Sequence, residues 1–209
     1  MFHTSLAYKK LRFQLRLNEN LRNRLIYLNP QDIVRVTSLS VLGSTNRSLS
    51  GYVTSKDIFN HANYPLELSI KFRYCLARWK FGLTWEASGA IRHYMNLIEQ
   101  GLTVDKMQSQ KDVYERLESL DELYRQVKLD RRLKTRFELG YSSEEFDETG
   151  GIYVHFGAKR QVSFGGGGFH RLAIAKILQI NQVPACIGLV HEDCESDLKE
   201  IALKNQIFV

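Results

Sequence analysis

The chain has 209 residues, 44% hydrophobic and 25% charged, and carries a formal charge of +6. This is the composition of an ordinary soluble globular protein, long enough for one large domain or two small ones. No run approaches the ~18 apolar residues of a membrane span, and the N-terminus lacks the apolar core of a secretory signal. Cys75, Cys186 and Cys194 are an odd count without metal-ligand spacing, so free thiols in a reducing cytoplasm are the expectation.

The charge is unevenly placed. Residues 1–64 hold nine Lys/Arg and three Asp/Glu, while the remainder holds twenty of each. Such a basic segment either contacts a polyanion (nucleic acid, anionic lipid or an acidic partner) or is a solvated arm. Within it Leu11, Phe13, Leu15 and Leu17 alternate with Arg12, Gln14 and Arg16 like a strand, although Leu17, Leu21, Leu25 and Leu28 would also suit a helical face. Asn29-Pro30 breaks the pattern, and residues 31–64 read as loop and short strand.

Helices are predicted from Pro65 onward. Pro65 suits a first helical turn, and Leu66, Ile70, Tyr74 and Leu76 form an apolar side reaching Trp79. Thr84 is expected to cap a second helix carrying Trp85, Ile91, Tyr94, Met95 and Ile98, ended by Gly101. Trp79 and Trp85 read as core packing between these helices in preference to a ligand-stacking pair. Ser109-x-x-Asp112 resembles a capping box, followed by Val113, Leu117, Leu120, Tyr124 and Val127 at helical period. Arg131, Arg132, Lys134 and Arg136 then form a second cationic cluster, either a solvated helix end or a phosphate- or glycan-facing patch.

Residues 141–151 read as an acidic loop. Ile152, Val154 and Phe156 alternate with Tyr153 and His155 as a half-buried strand, paired through a turn at 157–160 with a strand over 161–164. Pro184 opens an apolar strand through Val190, and a last helix is expected over 193–203. His155 and His191 either flank one pocket or are satisfied polar residues.

The run Gly165-Gly166-Gly167-Gly168-Phe169-His170-Arg171 stands out, because four glycines give up more backbone entropy than a simple turn requires. A glycine loop that opens a helix leaves free backbone N–H groups at the positive end of the helix dipole. Arg171 adds a guanidinium fork suited to phosphate oxygens, and His170 a titratable donor. Without Gly-Lys-Ser/Thr this is no Walker loop, and a dinucleotide fingerprint fits poorly. Asp147 and Glu148 precede the strand that feeds the loop, and a carboxylate near bound phosphates can hold Mg²⁺ or take a proton from an attacking hydroxyl.

Phe164-Gly-Gly, His170-Arg171, the Ala-rich helix, Ile180 and Val183-Pro184-Ala185 resemble the ParB N-terminal-domain and sulfiredoxin superfamily over roughly residues 109–191. The resemblance implies an α+β fold, with a basic then helical N-terminal region (1–105) packed on a small mixed α/β core (106–209). It further implies ATP or ADP, or else CTP, bound at Gly165–Arg171, with cofactor-binding residues Gly165, Gly166, Gly167, Gly168, His170 and Arg171. Sulfiredoxins carry Cys before His-Arg, where this chain has Phe169, so sulfinic acid reductase activity is not expected. Only 38 residues follow Arg171, too few for the further helix-turn-helix domain of ParB partition proteins. The nearest members are small-molecule kinases and uncharacterised, glycan-cluster-associated chains that put a helical segment before the same core, which makes the expectation a cytoplasmic phosphotransferase acting on a hydroxyl of a metabolite or glycan. His170, Glu148 and Asp147 are its candidate catalytic groups, the nucleotide is expected with or without Mg²⁺, and no protein-held metal is expected. The alternative is a nucleotide- or nucleic-acid-binding module without catalysis.

Overall fold

A computed structural model describes residues 14–37, 46–56, 63–102, 104, 107–204 and 207–208. The near-continuous apolar run from Val183 forms the longest strand, β8 (Val183–His191), buried along its whole length as expected of a strand covered on both faces. One edge of β8 pairs in parallel with β6 (Ile152–Phe156). Its other edge is shared between two short strands. β2 (Leu25–Leu28) runs antiparallel beside Val183–Cys186, and β4 (Tyr52–Thr54) runs parallel beside Val190–His191.

Beyond β6 the sheet continues through β7 (Val162–Gly166) and β3 (Arg35–Thr37) to β5 (Asn63–Pro65). Beyond β4 lies β1 (Arg16–Leu17), while β9 (Ile207–Phe208) pairs with β2. Nine strands among the described residues therefore make one mixed sheet, and the class is α+β. Strands from both sides of the expected 105/106 boundary interleave in it. The N-terminal part is consequently not a separate helical unit, because its short apolar stretches are completed as strands by β8 and β7. Lys9, Lys10, Leu11, Arg12 and Phe13 of the basic segment lie outside the described residues.

Five helices occur among the described residues: α1 (Ile70–Trp79), α2 (Ala90–Glu99), α3 (Gln110–Asp130), α4 (Phe169–Ile177) and α5 (Glu195–Lys204). Pro65 ends β5 instead of opening α1, and Thr84 caps a turn ahead of α2, its Oγ1 accepting from Ala87 N–H. The Ser109/Asp112 capping box is formed in both directions and starts a 21-residue helix. Trp79 and Trp85 pack edge-to-face, and both indole N–H groups donate to Asp121 of α3, at 2.8 and 3.0 Å. Arg78 joins the same carboxylate, which ties α1 and the turn before α2 to α3.

β6 is buried on both faces, not half-buried. At its centre His155 is wholly buried, and both neighbouring strands bulge around it. β8 places Gly188 and Leu189 in the interval between Val154 and Phe156, and β7 inserts Gly165 between the partners of Tyr153 and Val154. The extra residues leave room for the ring: a Cβ on Gly165 would lie 2.5 Å from His155 Nε2, and one on Gly188 2.5 Å from Nδ1. Leu189 N–H, freed from the ladder by the bulge, donates to Nδ1 at 2.9 Å. If ring and glycine share this space, Gly165→Ala costs about 1–3 kcal/mol in urea denaturation and much less in a His155→Ala background. Equal costs in the two backgrounds would separate the bulge from the histidine.

Candidate functional site

β7 ends in Gly166, Gly167 and Gly168, whose φ angles of 116°, 66° and 62° place three successive residues in the left-handed region. Only glycine enters that region without a Cβ penalty, so the unbroken glycine run is a backbone requirement. The close approach is a second one, because a Cβ on Gly168 would lie 2.7 Å from the Gly151 carbonyl oxygen. Gly165, by contrast, serves the His155 bulge. The three later glycines wall a cleft of about 590 Å³ at the start of α4.

One face of α3 lines the same cleft. Its floor is apolar, with Leu120, Leu123 and Val127 joined by Leu133 and Phe169, and Ser119, Gln126 and Asp130 lie alongside. Six cations line the same space: Lys71 from α1, Arg116 from α3, Arg132, Lys134 and Arg136 from the segment after α3, and Arg171 from α4. Three of the four residues of the second cationic cluster, Arg132, Lys134 and Arg136, thus line the same cleft as the glycine loop, and Arg131 does not. Arg136 also stacks over the exposed Tyr141 ring, 4.0 Å from its centroid.

Arg132 is paired with Glu138 (2.6 Å), and Arg171 with Glu148 (3.5 Å). Lys71, Arg116, Lys134 and Arg136 have no carboxylate within 4.0 Å among the described residues, although Asp130 lines the cleft with them.

Arg171 lines the cleft but is largely buried, its side chain 11% exposed, and its guanidinium is engaged by the protein. Its Nη1 faces the fully buried Glu148, its Nη2 donates to the Lys134 carbonyl, and Glu148 Oε2 accepts from Arg136 N–H at 2.8 Å. Burial raises the Glu148 carboxyl above its usual range, more than the Arg136 N–H and the Arg171 charge lower it, and burial likewise lowers the Arg171 guanidinium. The sequence-predicted Glu148 and Arg171 are therefore brought together, holding the 132–136 segment against α4.

His170 faces the other way. Its Nε2 lies 2.8 Å from Tyr74 Oη and 3.2 Å from Tyr94 Oη, and burial, reinforced by Lys71 and Arg116, pushes its pKa down to about 3. It is a neutral imidazole held by two phenols, not a proton carrier near pH 7. Asp147 does not line the cleft. Its Oδ1 accepts from Thr149 N–H, and it borders a separate hollow with Arg22 and Arg24. His155 and His191 do not share a pocket among the described residues. His155 is enclosed in the sheet, and His191 Nδ1 caps Asp193 N–H.

Lys71, Arg116, Gln126, Asp130 and Tyr141 were not singled out by sequence. The usable signal was on α3, where Arg116, Ser119, Gln126 and Asp130 follow one another at intervals of three, seven and four residues beside the apolar stripe. All three cysteines are free and buried, no helix among the described residues is long and apolar enough to cross a membrane, and no group of three His/Cys/Asp/Glu side chains among them is placed to hold a metal ion. Comparison with family models, with curated proteins and with solved structures finds no match for this chain.

Two measurements follow from this geometry. Glu148→Gln leaves a buried guanidinium without its counter-charge and should cost about 3 kcal/mol in unfolding free energy, with faster amide exchange across Lys134–Arg136. A loss below about 1 kcal/mol would deny the pair its structural role. The second concerns acid. His155, like His170, is held neutral by burial down to about pH 3, whereas an unfolded histidine protonates near 6.5. Their depressed values make stability full above about pH 6.5 and lost progressively as pH falls toward 3, by about 1.4 kcal/mol per pH unit for each ring. His155→Asn should flatten that slope by about one proton's worth, and an unchanged slope would refute the assignment.

Proposed function

We propose that the cleft binds the phosphate end of a nucleotide such as ATP or ADP. Phosphate oxygens would sit at Gly166–Gly168 and the start of α4, facing Lys134 and Arg136, with the nucleoside over the apolar floor of α3. The observation that carries this is the set of cations without carboxylate partners, converging on one glycine-walled cleft. Positive charge assembled without its own counter-ions is costly to fold unless an anion binds there. The helix start adds N–H donors and a favourable dipole. The likeness of Phe164-Gly-Gly and His170-Arg171 to the ParB and sulfiredoxin superfamily points the same way.

Binding is the reading supported over phosphoryl transfer. A phosphotransferase needs a base for the acceptor hydroxyl. His170 is neutral and bound to tyrosines, Glu148 is committed to Arg171 and Arg136, and Asp147 lies outside the cleft. A transfer reaction on a metabolite or glycan would instead use Asp130, the carboxylate that lines the cleft. Mg²⁺ prefers several oxygen ligands, and with one carboxylate in the lining it would be held mainly by the nucleotide's own phosphates.

Calorimetric titration tests the reading. ADP and ATP should bind the wild type, and Lys134→Gln/Arg136→Gln should weaken both by about ten- to a hundredfold, the worth of one or two charge-assisted contacts. Because Arg171 is a positioning residue, Arg171→Lys should lose stability together with affinity. Absence of nucleotide binding to a folded wild type would overturn the reading, and acceptor-dependent ATP turnover that Asp130→Asn abolishes would replace the binding module with the phosphotransferase.

A further inference from the structure

The cations of the cleft form two groups, one associated with His170 and one with Arg171. Lys71 and Arg116 belong to the side of His170, whose imidazole they both depress. Lys134 and Arg136 belong to the side of Arg171, which donates to the Lys134 carbonyl and shares Glu148 with the Arg136 backbone. Successive residues of a helix point about 100° apart, so His170 and Arg171 leave α4 in different directions, and the groups also differ in place along α3: Arg116 lies fourteen residues before its end, and Lys134 and Arg136 follow that end. Between them runs the apolar face of α3. From Arg116 to Asp130 this helix rises about 21 Å, at 1.5 Å per residue.

A nucleoside di- or triphosphate carries its negative charge at one end. It would satisfy one group of cations and leave the other facing a neutral nucleoside. Buried guanidinium nitrogens without hydrogen-bond partners occur in both groups, Arg116 Nε in the first and Arg136 Nε in the second. An exposed aromatic ring, Tyr141, stacks against Arg136 at the second.

We infer that the ligand is a nucleoside flanked by phosphate on both sides, with one phosphate at Lys71 and Arg116, the nucleoside over Leu120, Leu123 and Val127, and the other at Lys134 and Arg136. This rests on the nucleotide-binding reading and narrows it to a substrate class. A free nucleoside 3′,5′-bisphosphate and an internal residue of a single strand share this chemistry.

The experiment titrates ADP, adenosine 3′,5′-bisphosphate and a labelled adenine hexanucleotide into the full chain, as wild type, Arg116→Gln and Arg116→Lys. The bisphosphate or the hexanucleotide should bind at least tenfold tighter than ADP. Arg116→Gln should remove that advantage while ADP affinity stays within twofold, and Arg116→Lys, which keeps the charge, should retain most of it. Whichever of the two ligands shows the advantage identifies the source, and either supports the inference. ADP binding with no preference for a doubly flanked nucleoside overturns the inference alone, as does an equal loss for all ligands in a folded Arg116→Gln. Failure of every compound to bind wild type overturns the cleft reading and the inference together.

Discussion

The cleft depends on one buried ion pair. Arg171 and Glu148 lie on elements 23 residues apart in sequence, and neither charge could be buried alone. Together, with the Lys134 carbonyl and the Arg136 N–H satisfying part of the remaining hydrogen-bonding capacity, they clamp the segment after α3 onto the first turn of α4. Gly151 is part of the same fit, since any Cβ there would run into the Glu148 carboxylate. The basic stretch after α3 is thereby fixed where Arg132 and Lys134, still exposed to solvent, and the half-buried Arg136 line the cleft.

The direction of that loop is set deeper in the sheet. His155 wedges between β7 and β8, and each neighbour accommodates it with a bulge at a glycine. Bulges bend and twist the strand that carries them. The one in β7 falls at Gly165, immediately before the residues that turn into α4. The run of four glycines therefore divides its work: the first admits a buried ring, and the next three adopt backbone angles that side-chained residues rarely do.

Electrostatics and packing are opposed at this site. Lys71, Arg116, Lys134 and Arg136 repel one another, and no carboxylate of the described chain lies close enough to pair with them. Stability has to come from elsewhere. The continuous core beneath α1, α2 and α3, the Asp121 hub that accepts from Trp79, Trp85 and Arg78, and the burial of β6 and β8 on both faces supply it.

Much of the local structure was written in the sequence. The Ser109/Asp112 box, the 3.6-residue period behind it, the turn between β6 and β7, the apolar run of β8 and the loop-to-helix transition at Gly168 all follow from short-range chemistry, because capping, periodicity and glycine angles are decided by neighbours in the chain. The sequence also singled out Arg131, Arg132, Lys134 and Arg136 as a cluster, but not that all except Arg131 would line the cleft. Only the tertiary structure decided that β2, β3 and β4 join the same sheet as β6–β8, since two- to four-residue strands acquire their identity from the partner that pairs with them. It alone turned His170 toward two tyrosines, spent Glu148 on Arg171, and brought Arg116 and Lys71 into one cleft with the glycine loop. Those outcomes depend on long-range burial, where the cost of desolvating a charge, and not the identity of its sequence neighbours, selects the partner.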